Sequence, residues 1–154
     1  MSPTPRLIIV CGLPGAGKTT LARRLERRLG AVRLSADEWM DALAIDLWDE
    51  RTRARIESLQ WQLAQDLLGH GLVVIIEWGT WGRSERDALR VRARELGAAV
   101  ELRYLTAPVD VLFERVRNRG MENPPITRED LVRFSETFQA PDDEEMALYD
   151  EAAG

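Results

Sequence analysis

The amino-acid sequence predicts an α/β fold in which a parallel sheet of four or five strands carries helices on both faces. Short runs without a polar residue occur at 7–11 and 72–76, which is typical of strands buried on both faces of a parallel sheet. Segments with the apolar spacing of helices alternate with such runs. The chain has 154 residues, of which 45% are hydrophobic and 31% charged, so we expect a single domain over residues 1–154.

Four segments are predicted strands: residues 7–11, 31–34, 72–76 and 100–104. The first and third are the continuous apolar runs, and the second is short. In the fourth, Val100, Leu102 and Tyr104 alternate with charged residues, which predicts a strand at the edge of the sheet with one covered face. The sequence does not decide whether a fifth strand is present, because no apolar run follows residue 132.

Predicted helices cover residues 19–29, 37–68 (clearest over 52–68), 84–96, 108–119 and a segment that begins after the capping residue Thr127, with Asp130 three residues later. Gly30 and Gly97 are expected to stop two of them. Ser84 is expected to cap one N-terminus, with Asp87 three residues further on. Pro108 suits the first turn of another helix.

Composition and charge exclude several classes of protein. The net charge is -5 and the pI about 5.0, so the chain lacks the overall positive field that favours binding of long nucleic acids. A local basic patch would still allow a nucleic-acid partner, but the overall charge does not favour one. The single cysteine, Cys11, excludes an internal disulfide and is expected to be a buried strand residue. No apolar run has the length of a membrane span or a signal-peptide core, so we expect a cytoplasmic protein without a membrane partner.

Residues 12–19 read GLPGAGKT and match the pattern G-x-x-x-x-G-K-[ST] in full, between a predicted buried strand and a helix. Glycines let successive N–H groups point inward as an anion nest, and the helix N-terminus adds partial positive charge. Lys18 is expected to meet the β- and γ-phosphates, and the Thr19 hydroxyl to ligate Mg²⁺. The sequence therefore predicts a triphosphate site with ATP and Mg²⁺ as cofactors. Its predicted members are Gly12, Leu13, Pro14, Gly15, Ala16, Gly17, Lys18, Thr19 and Thr20.

Two acids follow predicted strands, where parallel sheets gather functional groups. Asp37 comes just after the second strand and is a candidate general base for an acceptor hydroxyl; the alternative is an acid that caps a helix. Glu77 comes after the third strand and is a candidate for holding water on Mg²⁺; the alternative is an ordinary acid at a strand end.

Aromatic and basic residues follow Glu77 at once and are candidates for a substrate-binding wall next to the nucleotide site. Indole faces stack on planar or sugar rings, and guanidinium groups pair with phosphate or carboxylate. Alternatively, Trp78 or Trp81 fills the core, and Arg86 is a solvated helix residue. The four candidates are Trp78, Trp81, Arg83 and Arg86.

Arg115 and Arg119 lie one helical turn apart ahead of Gly120, so they share a face. We expect residues 115–128 to form a lid whose arginines neutralise charge on a transferring phosphoryl group. The alternative is that these arginines complement the dipole at a helix end.

Together these residues resemble the adenylate-kinase-like group of P-loop kinases, especially its branch of zeta toxins, chloramphenicol phosphotransferases and polynucleotide 5′-kinases. The resemblance covers residues 7 to about 149 and rests on the phosphate loop, on residues 34–37 and on the arginines before Gly120. It implies a P-loop NTPase three-layer sandwich and an ATP·Mg²⁺-dependent kinase that acts on a hydroxyl. Kinases of this group usually hold the nucleobase of the nucleotide with a loop that follows a fifth strand. Because this sequence shows no clear fifth strand, both ATP and GTP remain possible nucleotides. The resemblance assigns catalytic roles to Lys18, Asp37, Arg115 and Arg119.

The sequence is compatible with three functions. The first is a kinase that phosphorylates a hydroxyl of a small molecule such as a nucleoside, sugar or antibiotic, which the acidic charge and small size favour. The second is a polynucleotide 5′-hydroxyl kinase, in which Arg83 and Arg86 would meet a backbone phosphate. The third is a nucleotide-binding switch or ATPase module without an acceptor, although the sequence has no convincing N-K-x-D motif for reading guanine.

Overall fold

A computed structural model describes residues 4–153, and its framework is one parallel sheet of four strands. The strands are β1 (Arg6–Cys11), β2 (Val32–Leu34), β3 (Val73–Gly79) and β4 (Ala99–Tyr104). They lie in the order β2-β3-β1-β4, and each neighbouring pair is parallel. The predicted parallel sheet is confirmed, with β4 at an edge. Residues 1–3 and 154 of the expected domain lie outside the described residues.

Helices connect the strands and complete the described chain. They are α1 (Lys18–Leu29), α2 (Ala36–Ala42), α3 (Glu50–Gly69), α4 (Arg83–Glu95), α5 (Val109–Arg119), α6 (Arg128–Thr137) and α7 (Asp143–Met146). The long helix expected over 37–68 is two helices. Ala44 adopts the left-handed conformation (φ 58°), and Asp49 starts α3 by accepting a hydrogen bond from the Thr52 amide. None of the described helices has the length and apolar character to cross a membrane.

The start of α4 differs from the cap expected at Ser84. The helix begins at Arg83, and the glycine before it, Gly82, is the N-cap residue. The Arg83 amide donates to the Gln139 side-chain oxygen at 2.8 Å. A side chain 56 residues further along the chain therefore accepts the hydrogen bond from this N–H group, whereas the local sequence predicts an acceptor from a neighbouring residue.

Helices cover both faces of the sheet, because alternate residues of each buried strand point to opposite sides. On one face, α1 packs on β1 and β3 through Ile8, Val10, Ala22, Leu25 and Ile75. On the other face, α3 and α4 pack through a larger cluster that includes Leu7, Ile9, Ala64, Leu68, Val74, Ile76, Leu89 and Ala93. The expected three-layer P-loop sandwich is confirmed.

A third cluster joins the phosphate loop to α5 and α6, and thereby fixes the loop at the carboxyl ends of the strands. Its buried members are Ala16, Leu112, Val116, Ile126 and Leu131. The capping box expected at Thr127 and Asp130 starts α6, since each residue's side chain accepts a hydrogen bond from the other's amide.

Candidate functional site

The phosphate loop lies between the end of β1 at Cys11 and the start of α1 at Lys18, and close contacts require two of its glycines. A Cβ atom at Gly12 would lie 2.6 Å from the Leu105 carbonyl oxygen, and one at Gly15 would lie 2.7 Å from the Leu112 carbonyl oxygen. Gly15 also has a φ of 84°, which L-residues rarely adopt. The neighbouring backbone therefore fixes the path of the loop.

Replacement of Gly15 by alanine is expected to lower the free energy of unfolding by about 2–4 kcal/mol, because it adds backbone overlap to left-handed strain. The matched control is Gly97→Ala, which has a similar φ of 80° but open space around its Cβ position, so it should cost only about 1 kcal/mol. Urea denaturation of both variants measures the difference. Equal losses in the two variants would contradict the close packing of the loop.

Free amide groups make the loop suitable for phosphate. Within residues 4–153, the N–H groups of Gly15, Gly17, Lys18 and Thr19 have no hydrogen-bond acceptor. They occupy the turn into α1, where the helix N-terminus carries partial positive charge. Because unpaired N–H groups favour an anion, the geometry of the loop fits a polyphosphate tail.

Lys18 supplies the cation of this loop. Its ammonium Nζ donates to the carbonyl oxygens of Gly12 and Leu13 at 2.9 and 3.0 Å. Burial of the ammonium lowers the pKa of Lys18 to about 8. The charges of Asp37 and Glu77 act in the opposite direction on this pKa, and the charge of Arg119 adds to the lowering. Three of the predicted site residues are therefore close enough to Lys18 to influence its charge.

MgATP affinity is expected to fall as pH rises above 8. In the free protein, Lys18 loses its proton near pH 8, whereas bound phosphate would favour the charged form, so binding takes up a proton. Between pH 7 and pH 9 the affinity should weaken by roughly tenfold, because only about a tenth of the molecules keep the ammonium at pH 9. Calorimetric titrations in two buffers with different ionisation enthalpies measure both the affinity and the proton uptake.

The control for this pH dependence is Lys18→Arg, whose guanidinium stays charged throughout. Its MgATP affinity, whatever its absolute value, should not change between pH 7 and pH 9. A flat profile for the unmodified protein would contradict the assignment to Lys18.

Asp37 lies in the first turn of α2, and its carboxylate pairs with the Arg53 guanidinium on α3. Arg53 also donates to the Leu47 carbonyl oxygen at 2.6 Å, so its own position is fixed. Ser35 rather than Asp37 caps α2, by accepting from the Glu38 amide at 3.2 Å. The Asp37 carboxylate is thus free of the capping role and is oriented by a fixed arginine.

Arg53 is a site residue that sequence reasoning missed. The helical pattern over 52–68 marks it only as a polar residue, and its partner lies 16 residues earlier on another helix. Farther along α3, burial raises the pKa of Glu57 to about 7, and the charge of Glu85 on α4 raises it further. The surroundings of Asp37 and Arg53 therefore carry additional carboxyl groups.

Glu77 belongs to β3 itself, where its side chain is buried. One carboxylate oxygen accepts from the Arg33 guanidinium at 2.7 Å, and Arg33 also pairs with Glu38 at 2.6 Å. The second oxygen, Oε2, is buried and has no hydrogen-bond partner within residues 4–153. An unpaired carboxylate oxygen near Lys18, together with the exposed Thr19 hydroxyl at the start of α1, fits Mg²⁺ chemistry. No group of three or more His, Cys, Asp or Glu side chains in the described chain could hold a metal alone, so phosphate and water would supply the other ligands.

The four residues expected to form a substrate wall lie in different surroundings. The Trp78 indole N–H donates to the Gln60 side-chain oxygen at 2.6 Å, and its ring packs edge-on against Trp61 beneath α3. Trp81 is half-buried, with its ring centre 5.2 Å from that of Phe134. Only Trp81 therefore lies in an aromatic cluster that reaches toward the lid segment.

The two arginines of the expected wall are also separated. Arg83 lies at the start of α4 and faces Asp87 and Asp142 at 3.7 and 3.9 Å. Arg86 is fully buried and paired with Glu145, which is neither the open wall nor the solvated helix face that the sequence indicates.

The arginines of the expected lid lie next to the phosphate loop. Arg115 on α5 donates to the Gly15 carbonyl oxygen at 3.0 Å. Arg119 pairs with Glu122 at 2.8 Å, and its charge acts on Lys18. In the same segment, the Pro124 carbonyl oxygen accepts a 2.7 Å hydrogen bond from the Trp48 indole, so the segment between α2 and α3 is joined to residues 115–128.

Comparison with known proteins gives a family and several relatives. Residues 7–141 match the AAA_33 family, described as an AAA domain. The chain is 33% identical over 141 residues to an uncharacterised protein of Mycobacterium tuberculosis, a match that covers 82% of this chain and 28% of that protein. It is 30% identical over 119 residues to a shikimate kinase of Rhodopseudomonas palustris, covering 75% of this chain and 56% of the kinase.

Among solved structures, a chain of the Pnkp1/Rnl/Hen1 RNA repair complex superimposes with a TM-score of 0.71 at 25% identity. The match covers 89% of this chain and 45% of the other. Across these three comparisons, the present chain spans about half or less of the length of the proteins that it matches.

Proposed function

This chain belongs to the AAA_33 family, and from that premise we propose that it is an ATP- and Mg²⁺-dependent kinase that transfers the γ-phosphoryl group to a hydroxyl of a small molecule. The family and the shikimate kinase relative support a nucleotide-dependent kinase. One observation carries the acceptor chemistry: the Asp37 carboxylate, oriented by Arg53, lies near enough to the phosphate-loop lysine to influence its charge. Within the P-loop kinases, we place the chain in the branch of zeta toxins, chloramphenicol phosphotransferases and polynucleotide 5′-kinases.

In this proposal, the phosphate loop binds the triphosphate through the Lys18 ammonium and the unpaired amides of Gly15, Gly17, Lys18 and Thr19. Thr19 and Glu77 are the residues that would hold Mg²⁺, which would supply positive charge to neutralise the phosphates. Asp37 accepts a hydrogen bond from the acceptor hydroxyl and takes its proton as phosphoryl transfer proceeds.

Residues 115–128 act as the lid of the proposed site. Arg115 already contacts the Gly15 carbonyl oxygen, and Arg119 influences the Lys18 charge, so both guanidinium groups start near the place where phosphate charge develops. Stabilisation of that charge is the main task of a protein in phosphoryl transfer.

For the acceptor, we propose a compact ring compound such as a nucleoside, a sugar or an antibiotic. Trp81 and Phe134 present aromatic rings on the side of the lid segment, and ring faces of this kind stack on planar or sugar rings. Trp48, whose ring centre lies 6.5 Å from that of Phe134, extends this aromatic surface.

A polynucleotide 5′-hydroxyl kinase is the second candidate, supported by the similarity to a chain of the RNA repair complex. The net charge of -5 opposes it, because an acidic protein repels a phosphate backbone. The third candidate is a nucleotide-binding switch or an ATPase module without an acceptor.

Transfer of labelled phosphate from ATP to a library of nucleosides, sugars and hydroxyl-bearing antibiotics tests the proposal, with Asp37→Asn as the background. We expect at least one small acceptor to be labelled well above that background. A parallel arm uses an oligonucleotide with a 5′-hydroxyl end at two salt concentrations. Labelling of the oligonucleotide alone, with strong salt dependence, would favour the second candidate. ATP binding without transfer to any acceptor would favour the third.

A further inference from the structure

Arg86 on α4 is fully buried and makes four short hydrogen bonds. Its guanidinium meets both Glu145 carboxylate oxygens at 2.7 and 2.8 Å in a two-point pair. It also donates to the carbonyl oxygens of Thr80 and Gln139 at 2.8 and 2.6 Å. Because a buried charge is costly unless it is fully paired, this arrangement holds only while all partners stay in place.

These bonds join segments that are distant in sequence. Thr80 lies in the stretch formed by the last residue of β3 and the connection to α4, which we call the 79–82 loop. Gln139 and Glu145 lie in the segment from the end of α6 to α7. Gln139 reinforces the junction, because its amide donates to the Trp81 carbonyl oxygen at 2.9 Å and its side chain accepts from the Arg83 amide. The C-terminal segment thus holds the 79–82 loop from one side.

The 79–82 loop adjoins the phosphate loop. The Gly12 amide donates to the Gly79 carbonyl oxygen at 3.2 Å. The next residue, Thr80, is buried and has a φ of 46°, an uncommon conformation for a β-branched residue. Such strain persists only where surrounding contacts enforce it, and here the Arg86 bond to the Thr80 carbonyl oxygen is one of those contacts.

We propose that Arg86, through its pair with Glu145, is a positioning residue that holds the 79–82 loop in its strained conformation against the phosphate loop, so that Trp81 can meet the acceptor. The inference rests on the proposed kinase function, which it deepens by naming the contacts that shape the acceptor side. Loosening the pair should therefore impair phosphoryl transfer while leaving nucleotide binding intact, since within residues 4–153 neither side chain is hydrogen-bonded to residues 12–20. The Arg86 guanidinium lies 4.0 Å from the thiol of Cys11, the residue that precedes the phosphate loop.

Cys11 provides a direct readout of the loop. It is the single cysteine of the chain, it is buried, and its thiol lies 3.5 Å from the Thr80 carbonyl oxygen and 4.0 Å from the Arg86 guanidinium. Burial raises the pKa of this thiol, which keeps it unreactive while the loop is closed. When the loop opens, the thiol becomes accessible to an external reagent.

The experiment compares Glu145→Gln with the unmodified chain. We expect the rate of Cys11 modification by dithiobis-nitrobenzoate to rise at least about tenfold. The weakened pair with Arg86 lets the 79–82 loop open more often, and each opening exposes the thiol. In chains labelled with 5-fluorotryptophan, the Trp81 fluorine resonance, assigned with Trp81→Phe, should shift while that of Trp39 on α2 stays in place. The Kd for MgATP should stay within about twofold, and kcat for the acceptor found by the library should fall about tenfold or more.

Two further variants make the result specific. Gln139→Ala removes one exposed side-chain bond, so it folds even if Glu145→Gln does not, and it should raise Cys11 modification by about threefold. Arg94→Lys is the matched control, because Arg94 also joins α4 to the C-terminal segment, through Asp150 at 2.5 Å, but does so away from the loop. Arg94→Lys should change neither the rate of Cys11 modification nor the Trp81 fluorine resonance.

Unchanged Cys11 modification and an unchanged Trp81 resonance in both loop variants would overturn the proposal, as would equal changes in Arg94→Lys. Altered loop signals with unaltered transfer kinetics would overturn the positioning role. The thiol and fluorine signals need no acceptor, so they separate this inference from the kinase proposal. If the signals change while no acceptor is ever labelled, the link to the loop stands and the kinase proposal fails.

Discussion

Replacement of Lys18 by alanine is expected to weaken MgATP binding at least a hundredfold and to lower kcat/KM for phosphoryl transfer by on the order of a thousandfold or more. The ammonium is the only group of the loop that carries a full positive charge, since the other phosphate-binding groups are backbone amides. In the present structure it donates to the carbonyl oxygens of Gly12 and Leu13, so its removal also frees two carbonyl groups in the loop. Calorimetry with MgATP and steady-state kinetics measure the two losses.

Lys18→Met is the companion variant, because its unbranched side chain keeps much of the packing of the lysine stem without the charge. It should bind MgATP as weakly as the alanine variant if charge is decisive. Thermal unfolding of both proteins verifies that the fold is intact. Unimpaired MgATP binding by either variant would remove the basis for a triphosphate site at residues 12–20.

Asp37→Asn is expected to lower kcat by about a hundredfold to ten-thousandfold while the Kd for MgATP changes by no more than about twofold. Asparagine has the shape of aspartate and can still face Arg53, but its amide cannot take the proton of an acceptor hydroxyl. Rates at saturating ATP, with the acceptor that the library identifies, measure the effect.

The matched control is Glu38→Gln, which removes the next acid in the same helical turn. Glu38 pairs with Arg33 rather than with Arg53, so its change should alter kcat by no more than about threefold. Similar losses in both variants would indicate that the overall charge of α2, and not a base at position 37, supports transfer.

Sequence reasoning found the features whose cause is local. The apolar runs at 7–11 and 72–76 predict strands because full burial requires apolar residues on both sides of the chain. The glycines at 12, 15 and 17 and the lysine at 18 predict a phosphate loop because the spacing itself encodes the geometry. The capping box at Thr127 and Asp130 is confirmed for the same reason, since its partners are three residues apart.

Features with distant partners could not be predicted in this way. Arg53 is paired with a carboxylate on another helix, and Arg86 is buried against a glutamate 59 residues away. The side-chain acceptor at the start of α4 belongs to Gln139 rather than to Ser84. In each case the local pattern marks a polar residue at a helix surface, and only the tertiary fold supplies the partner that buries or fixes it.

The hydrogen bond from the Trp48 indole to the Pro124 carbonyl oxygen has a thermodynamic consequence. It connects the chain between α2 and α3, which adjoins Asp37 and Arg53, to the segment that carries Arg119. A ligand that draws one of these segments inward also favours the inward position of the other. The two substrates of such an enzyme would then bind synergistically, each increasing the affinity for the other by the same factor.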